Sequence, residues 1–378
     1  MGDSEVQGAK RRVAILCGGQ SGEHEISLLS ARSILGAMDR KKYTVILVGI
    51  NKDGQWRLQK DPDHLLGQDD PRSIHLDPSG PTVVLPADPT IGGLLVRDEA
   101  GPATTIIPID VVFPVLHGPY GEDGTVQGLL EMVGLAYVGA GVLASAVGMD
   151  KDVMKRLLRD ADIPTPKFLV IYQRHWSRDS RGCQRAIWEH LTPPVFVKPA
   201  NLGSSVGISK VKTVGDLTPA LDLAFQYDTK AIVEEYIKGR EIECSVLGND
   251  DPIASMPGEI IPRHEFYSYE AKYLDDAGAE LRIPTDLPEK VDERVRRLAV
   301  AVYRTLCCEG MARVDFFLAD DGRLLVSEIN TIPGFTRISM YPKLWQASDV
   351  AFPELIDRLI ELALDRHKRR RALRIDHP

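Results

Sequence analysis

One short run constrains this chain more than any other: ARVDFFLADDGRLLVSEIN, Ala312 to Asn330. Two strand-like stretches flank Asp321-Gly322, a pair suited to a two-residue type I′ turn, which needs positive φ at both central residues. With those two residues as the loop, Asp315 faces Glu328 and Arg313 faces Asn330 across the hairpin. Side chains alternate along a strand, so all four share one face. Opposed Cβ atoms stand roughly 4.5–5.5 Å apart, where like charges repel. Two acids and an amide on such a patch suit a hard cation, since Mg²⁺ takes one or two carboxylates and completes its shell with phosphate oxygens. The plainer alternative is a solvated face neutralised by Arg313. A slip of one residue would send these side chains to opposite faces, so the inference stands on the turn.

At 378 residues the chain has room for two or three domains, each with its own core. A net charge of −8 argues against a nucleic-acid partner, which wants a basic surface. The single basic cluster, His367 to Arg374 (HKRRRALR), reads as a solvated helix end. Five scattered cysteines without a C-x-x-C fit a reducing compartment and no structural zinc. The opening MGDSEVQGAKRR has no apolar stretch of a secretory leader, and Val6 stands where a myristoylation signal wants Ser or Thr. No apolar run approaches the roughly 20 residues that span a bilayer. The expectation is a cytoplasmic protein with no membrane partner.

Along the chain, VAILC (13–17), the turn GGQSGEHE, a helical pattern over 26–38 and YTVILVGI (43–50) predict an α/β layer with parallel strands. Residues 51–108 are expected to be irregular or hairpin-like, and DVVFPVLHG (110–118) is a further core strand. A helix over 150–161 with Asp150 as its cap, strands at 168–172, 195–200 and 206–211, and a helix over 216–227 follow. Residues 231–248 read as two strands around Lys238-Gly239. A Tyr-rich loop over 262–288, a helix over 288–308, the hairpin and a helix over 352–372 complete the chain. No repeat recurs at 20–50 residues.

GGQSGEHE does not match the dinucleotide fingerprint G-x-G-x-x-G, and no P-loop is present. Its glycines alone permit a sharp turn; Glu23 beyond them sits where open α/β sheets place ligands. VFVKPANLGSSVG is sharper: Lys198 offers a point charge beside small residues whose N–H groups can approach phosphate oxygens, although a glycine hairpin is the simpler reading. Lys151, on its own, is an ordinary exposed lysine. Glu234, Glu235, Glu241 and Glu243 lie on successive strands, either as a solvated edge or as acceptors for a nucleotide's hydroxyls and amine. His117 ends a core strand, and Gly334 with Ser339 offers an anion-binding turn.

Taken together, KPANLGSSVG, EEYIKGREIECSVLG, FYSYEAKY, ARVDFF and SEINTIPGFT, with GGQSGEHEIS and LHGPYGEDGT upstream, resemble the D-alanine–D-alanine ligases of the ATP-grasp superfamily. The likeness runs from about Val13 to about Leu364. It implies an α/β fold in three parts: an N-terminal parallel-sheet domain (1–139), a central lid (140–233) and a C-terminal mixed-sheet domain (234–378). It implies ATP as co-substrate, two Mg²⁺ ions with Mn²⁺ as an alternative, D-alanine as substrate, a homodimer, and a product for peptidoglycan precursors. By the same resemblance, Lys151 and Lys198 hold ATP phosphates, Glu234, Glu235 and Ile237 clamp adenine, Glu241 meets the ribose and Lys272 the γ-phosphate. Asp315, Glu328 and Asn330 ligate the metals. Glu23 fixes the first D-alanine, with Ser204 and Tyr273 shutting the site over it. His117 is a further substrate contact, and Arg313, Gly334 and Ser339 surround the reacting carbonyl and the second carboxylate. Ligases using D-lactate or D-serine as acceptor, or another ATP-grasp carboxylate–amine ligase, are the alternatives. Tyr273 in EAKY favours the D-alanine form.

Overall fold

The computed structural model describes residues 9–68, 70–97, 104–204, 206–263 and 278–374. Strand Arg11–Gly18 lies at the centre of the first sheet, with Val13 through Cys17 fully buried. A continuous apolar run of this kind belongs to a parallel strand covered on both faces. It pairs in parallel with Tyr43–Ile50 and with Val111–Pro114, which in turn pairs with Ala136–Tyr137. Helix His24–Ala37 buries Leu28, Ala31, Ile34 and Leu35 against them. The insert is more ordered than irregular: Trp56–Gln59, Thr82–Val84, Gly93–Arg97 and Thr104–Pro108 extend the sheet as an antiparallel meander to eight strands. This sheet is therefore mixed rather than purely parallel.

A second sheet, of four antiparallel strands in the order Ser209–Val211, Val195–Pro199, Lys230–Glu235, Phe168–Tyr172, packs its apolar face against helices Gln173–Arg178, Ser180–His190 and Leu217–Ala224. The first two of these helices have no counterpart in the sequence reading.

The third sheet contains Ala279–Arg282, Gly258–Pro262, Gly239–Gly248, Gly310–Ala319 and Leu324–Asn330, with Ile253–Ala254 beside it. Its described pairings are all antiparallel, so the mixed character expected at the C-terminal end is absent there. The two strands around Lys238-Gly239 exist but belong to different sheets. Helix Glu289–Thr305 covers one face with Val295, Ala299, Val302 and Tyr303, beside Met154 and Leu158 of helix Lys151–Asp160.

The opposite side is sealed by helices Met340–Ala347 and Phe352–Arg371, whose Tyr341, Trp345, Leu355 and Leu359 share one core with Val13, Ile15 and Phe113 of the first sheet. That shared core fixes the N-terminal layer against the hairpin. The basic end of the last helix is not simply solvated. Just ahead of it, Arg366 is buried, lies over the Tyr137 ring and donates to the Tyr137 carbonyl at 2.7 Å and to that of Gly139. Within the run, Arg370 pairs with Glu131 and Glu309, and Arg369 with Asp250.

Candidate active site

In the hairpin, Asp315 pairs with Glu328 and Arg313 with Asn330 as expected, but the expected turn is not what aligns them. The loop has three residues. Ala319 N donates to Arg323 O at 2.9 Å, Gly322 N to Ala319 O at 2.8 Å, and Gly322 alone among the turn residues takes positive φ, 84°. A three-residue loop displaces the register by one, and a β-bulge between Asp315 and Phe316 restores it, with Ser327 as the extra residue. Two departures from the ideal ladder cancel at the functional end.

Arg313 donates through Nε and Nη2 to both oxygens of Asp315 at 2.7 Å each, and its Nε is 2.9 Å from Glu243 Oε2. Burial opposes its charge, yet Asp315 and Glu243 hold the guanidinium well above its ordinary pKa. Lys151 is buried, contrary to the exposed reading. Asp150 caps its helix by accepting from Asp152 N and Val153 N. Lys151 Nζ donates to Leu202 O at 2.7 Å and lies 3.6 Å from Glu328 Oε2. Asp315, Glu328 and Asn330 thus share one sheet face and are the residue types Mg²⁺ takes, with both Asp315 oxygens accepting from Arg313 and Asn330 Oδ1 from Ile332 N at 3.1 Å. No group of three or more His, Cys, Asp or Glu side chains forms a cage among the described residues. The donor set fits an ion that completes its shell from phosphate oxygens.

Facing the hairpin are residues from the first sheet and the second. Glu23, at the start of helix His24–Ala37, accepts a short hydrogen bond from Ser204 Oγ. Ser204 has φ 52°, so the loop after Lys198 turns through the left-handed region to deliver it. His117 Nδ1 donates to Ile332 O at 3.1 Å, and its Nε2 lies 3.2 Å from Ser30 Oγ. Burial lowers its pKa, which favours the neutral ring. Ser339 Oγ accepts from Thr336 N at 3.0 Å, and a Cβ on Gly334 would stand 2.7 Å from that oxygen, so the turn requires glycine or a shift of Ser339. These residues enclose a cavity of 370 Å³ lined by Glu23, His117, Lys151, Ser204, Arg313, Glu328, Asn330, Gly334 and Ser339.

The residues expected around a nucleotide form a second cluster, linked to this cavity through Lys151 and the 200–204 loop. Lys198 and Glu234 are on adjacent strands, with Nζ–Oε2 at 2.6 Å. Glu234 Oε1 is 2.6 Å from Lys155 Nζ, and the lysine pair holds the buried carboxyl below its usual range although burial alone would raise it. Ile237 packs with Phe317, Ala319 and Leu325, and Glu241 pairs across from Phe317. Glu235 instead accepts from Lys167 N at 2.7 Å, which holds it on its own sheet. Lys272 and Tyr273, and Ser205 of the small-residue loop, lie outside the described residues.

Two buried charges escaped the sequence reading, and a third was read without its partner. Lys155 is four residues beyond Lys151, the spacing that puts both on one helix face. Glu243 reads in the sequence as a solvated edge or a nucleotide acceptor, and its approach to Arg313 needed the register of the neighbouring strand. Glu122 lines the cavity in the loop after His117 and accepts from Gly118 N at 2.6 Å. Burial and the nearby Glu23 push its carboxyl up to about 8.

Against known proteins, the D-ala D-ala ligase N-terminus family matches residues 12–140 and the D-ala D-ala ligase C-terminus family residues 157–361. The chain belongs to the D-alanine–D-alanine ligase family. Among its relatives, the D-alanine–D-alanine ligase of Shouchella clausii is 48% identical over 368 residues, 97% of this chain and 98% of that protein. D-alanine–D-alanine ligase A of Chromobacterium violaceum is 50% identical over 364 residues, covering 96% and 98%. Among solved structures, the D-alanine–D-alanine ligase from Coxiella burnetii superposes with a TM-score of 0.81 at 40% identity over 96% of each chain. The VanG D-Ala:D-Ser ligase from Enterococcus faecalis gives 0.83 at 35% identity, over 94% of this chain and 100% of the other. The ATP-grasp architecture expected from the motifs is the one these family members share. No helix among the described residues is long and apolar enough to cross a membrane.

Proposed function

We propose that this family member is an ATP-dependent ligase that joins two D-alanine molecules into D-alanyl-D-alanine, the dipeptide used in peptidoglycan precursors. The observation that carries the reading is the convergence of Glu23 and Ser204 with Arg313, Glu328 and Asn330 on one cavity. An ammonium group fits Glu23, and a carboxylate beside it points toward Arg313 and the hairpin acids.

Peptide-bond formation is uphill in water, so the carboxylate is first activated. Lys151 and Lys198, with Lys272, neutralise the γ-phosphoryl group as the first carboxylate attacks it, giving an acyl phosphate and ADP. Two Mg²⁺ ions held by Asp315, Glu328 and Asn330 would supply further charge neutralisation there, and Mn²⁺ suits the same donors. Acyl phosphates hydrolyse readily, so the site has to exclude water, a task for the loop that brings Ser204 to Glu23; by the family resemblance Tyr273 belongs to the same network. The second amine then attacks the carbonyl, Arg313 and backbone N–H groups near Gly334 stabilise the oxyanion, and phosphate leaves. His117 and Ser339 line the acceptor end. Adenine sits by Glu234, Glu235 and Ile237, and ribose by Glu241. The three-part division at 139/140 and 233/234, a cytoplasmic homodimer, and the absence of nucleic-acid or membrane partners belong to the same reading.

The likeness to a D-Ala:D-Ser ligase supports one alternative acceptor. Incubation of the purified chain with ATP, Mg²⁺ and D-alanine, alone or with D-serine or D-lactate, tests both, with products read by mass. D-Ala-D-Ala as the main product is expected. ATP hydrolysis without dipeptide would refute the reading.

A further inference from the structure

Two lysines meet a single buried carboxylate, Glu234, in the interior beside the proposed nucleotide site, and Glu328 and Glu241 add negative charge near Lys198. Lys155 and Glu234 are each about 1% exposed, and Lys198 Nζ shares the carboxylate from the other side at the same 2.6 Å. Among the described residues Lys155 Nζ has no ion-pair partner besides Glu234. Lys198 differs in position: it stands at the end of Val195–Pro199, beside the 200–204 loop, with its side chain 13% exposed. A buried ion pair that loses one partner leaves an uncompensated charge, which is far more costly than an exposed one. If Glu234 had Lys198 alone, turning Lys198 toward a phosphate would strand a buried anion.

We propose that Lys155 is a positioning residue: it keeps Glu234 neutralised from behind, so that Lys198 is released to the nucleotide's phosphates while Glu234 stays ionised to accept from the adenine amine. The inference rests on the nucleotide placement given above. Lys155 touches no substrate; it acts through Glu234. Helix Lys151–Asp160 then serves the nucleotide twice, with Lys151 near the phosphates and Lys155 one turn deeper.

The test is calorimetric binding of ADP with Mg²⁺ to the full chain, together with KM for D-alanine. Lys155→Met should weaken ADP binding by about tenfold or more, the scale of a buried ion pair left with one partner. The KM for the first D-alanine should stay within about twofold, because Glu23 and Ser204 are untouched. Adding Glu234→Gln to Lys155→Met should recover most of the loss, since a neutral amide no longer captures Lys198 yet still offers an acceptor oxygen. Should Lys155→Met fail to fold, Lys155→Met/Glu234→Gln removes both charges of the pair and is compared with Glu234→Gln alone. Equal ADP affinity is then expected, and a weaker double variant would overturn the proposal. Unchanged affinity in Lys155→Met beside a weakened Lys198→Met would overturn this inference and spare the nucleotide placement. Equal affinity of the unmutated chain and Lys198→Met would overturn both.

Discussion

Replacing Glu122 by glutamine removes a buried titratable group and little else, because a Gln amide oxygen can still accept from Gly118 N. Its carboxyl is held at about 8 in the folded chain, against 4.5 for an unburied glutamate. Burial and Glu23 both act against the charged form. Between those two values the folded state keeps a proton that the unfolded state has released. The resulting stabilisation is complete below about pH 4.5 and is lost as the pH rises toward 8. The slope is about 1.4 kcal/mol per pH unit midway and flattens near the upper pKa. Integrated from about pH 6 to 8, the group costs the native protein about 2 kcal/mol, and relaxation around the charge reduces that to about 1–2 kcal/mol. Urea unfolding of the native chain and Glu122→Gln at both pH values isolates the effect, because other titrating groups are common to the two. The stability of Glu122→Gln relative to the native chain should rise by that amount between the two pH values. Parallel dependence, with the difference constant to within about 0.5 kcal/mol, would refute the burial argument.

Asp315→Ala or Glu328→Ala should nearly abolish dipeptide formation; phosphate release close to normal at ordinary Mg²⁺ would contradict the metal assignment. Glu23→Gln should raise the KM for the first D-alanine strongly, as an ammonium loses its charged acceptor, and initial rates against D-alanine concentration decide it. Arg366→Met should destabilise by about 2–4 kcal/mol, since two buried carbonyls at Tyr137 and Gly139 lose a charged donor. A loss under about 1 kcal/mol in denaturant unfolding would show that water replaces the guanidinium.

Much of the site was legible because its residues are close in sequence or held by strand alternation. Asp315, Glu328 and Asn330 share a face because hairpin pairing is local, although a three-residue loop and a bulge at Asp315/Phe316 produced the register attributed to a two-residue turn. The Asp-Gly signal located the bend without fixing its type, since Gly322 alone needed positive φ. Helices at 173–190 went unread because their buried residues are few, chiefly Trp176 and Ile187, and leave little periodicity. The insert's meander was only half seen because its strands are three to five residues long.

Chain-local chemistry determined the type of protein: long motifs fixed the family, apolar runs the buried parallel strands, and Asp150 the start of a helix. Tertiary structure alone decided which charges meet. Glu23 and Ser204 are separated by 181 residues, and His117 and Ile332 by 215, yet each pair is in contact. Lys155, Glu122 and Glu243 look like ordinary surface charges in the sequence. Their pairing and shifted protonation arise from burial and from neighbours contributed by other elements, and neither can be computed until distance in space replaces distance along the chain.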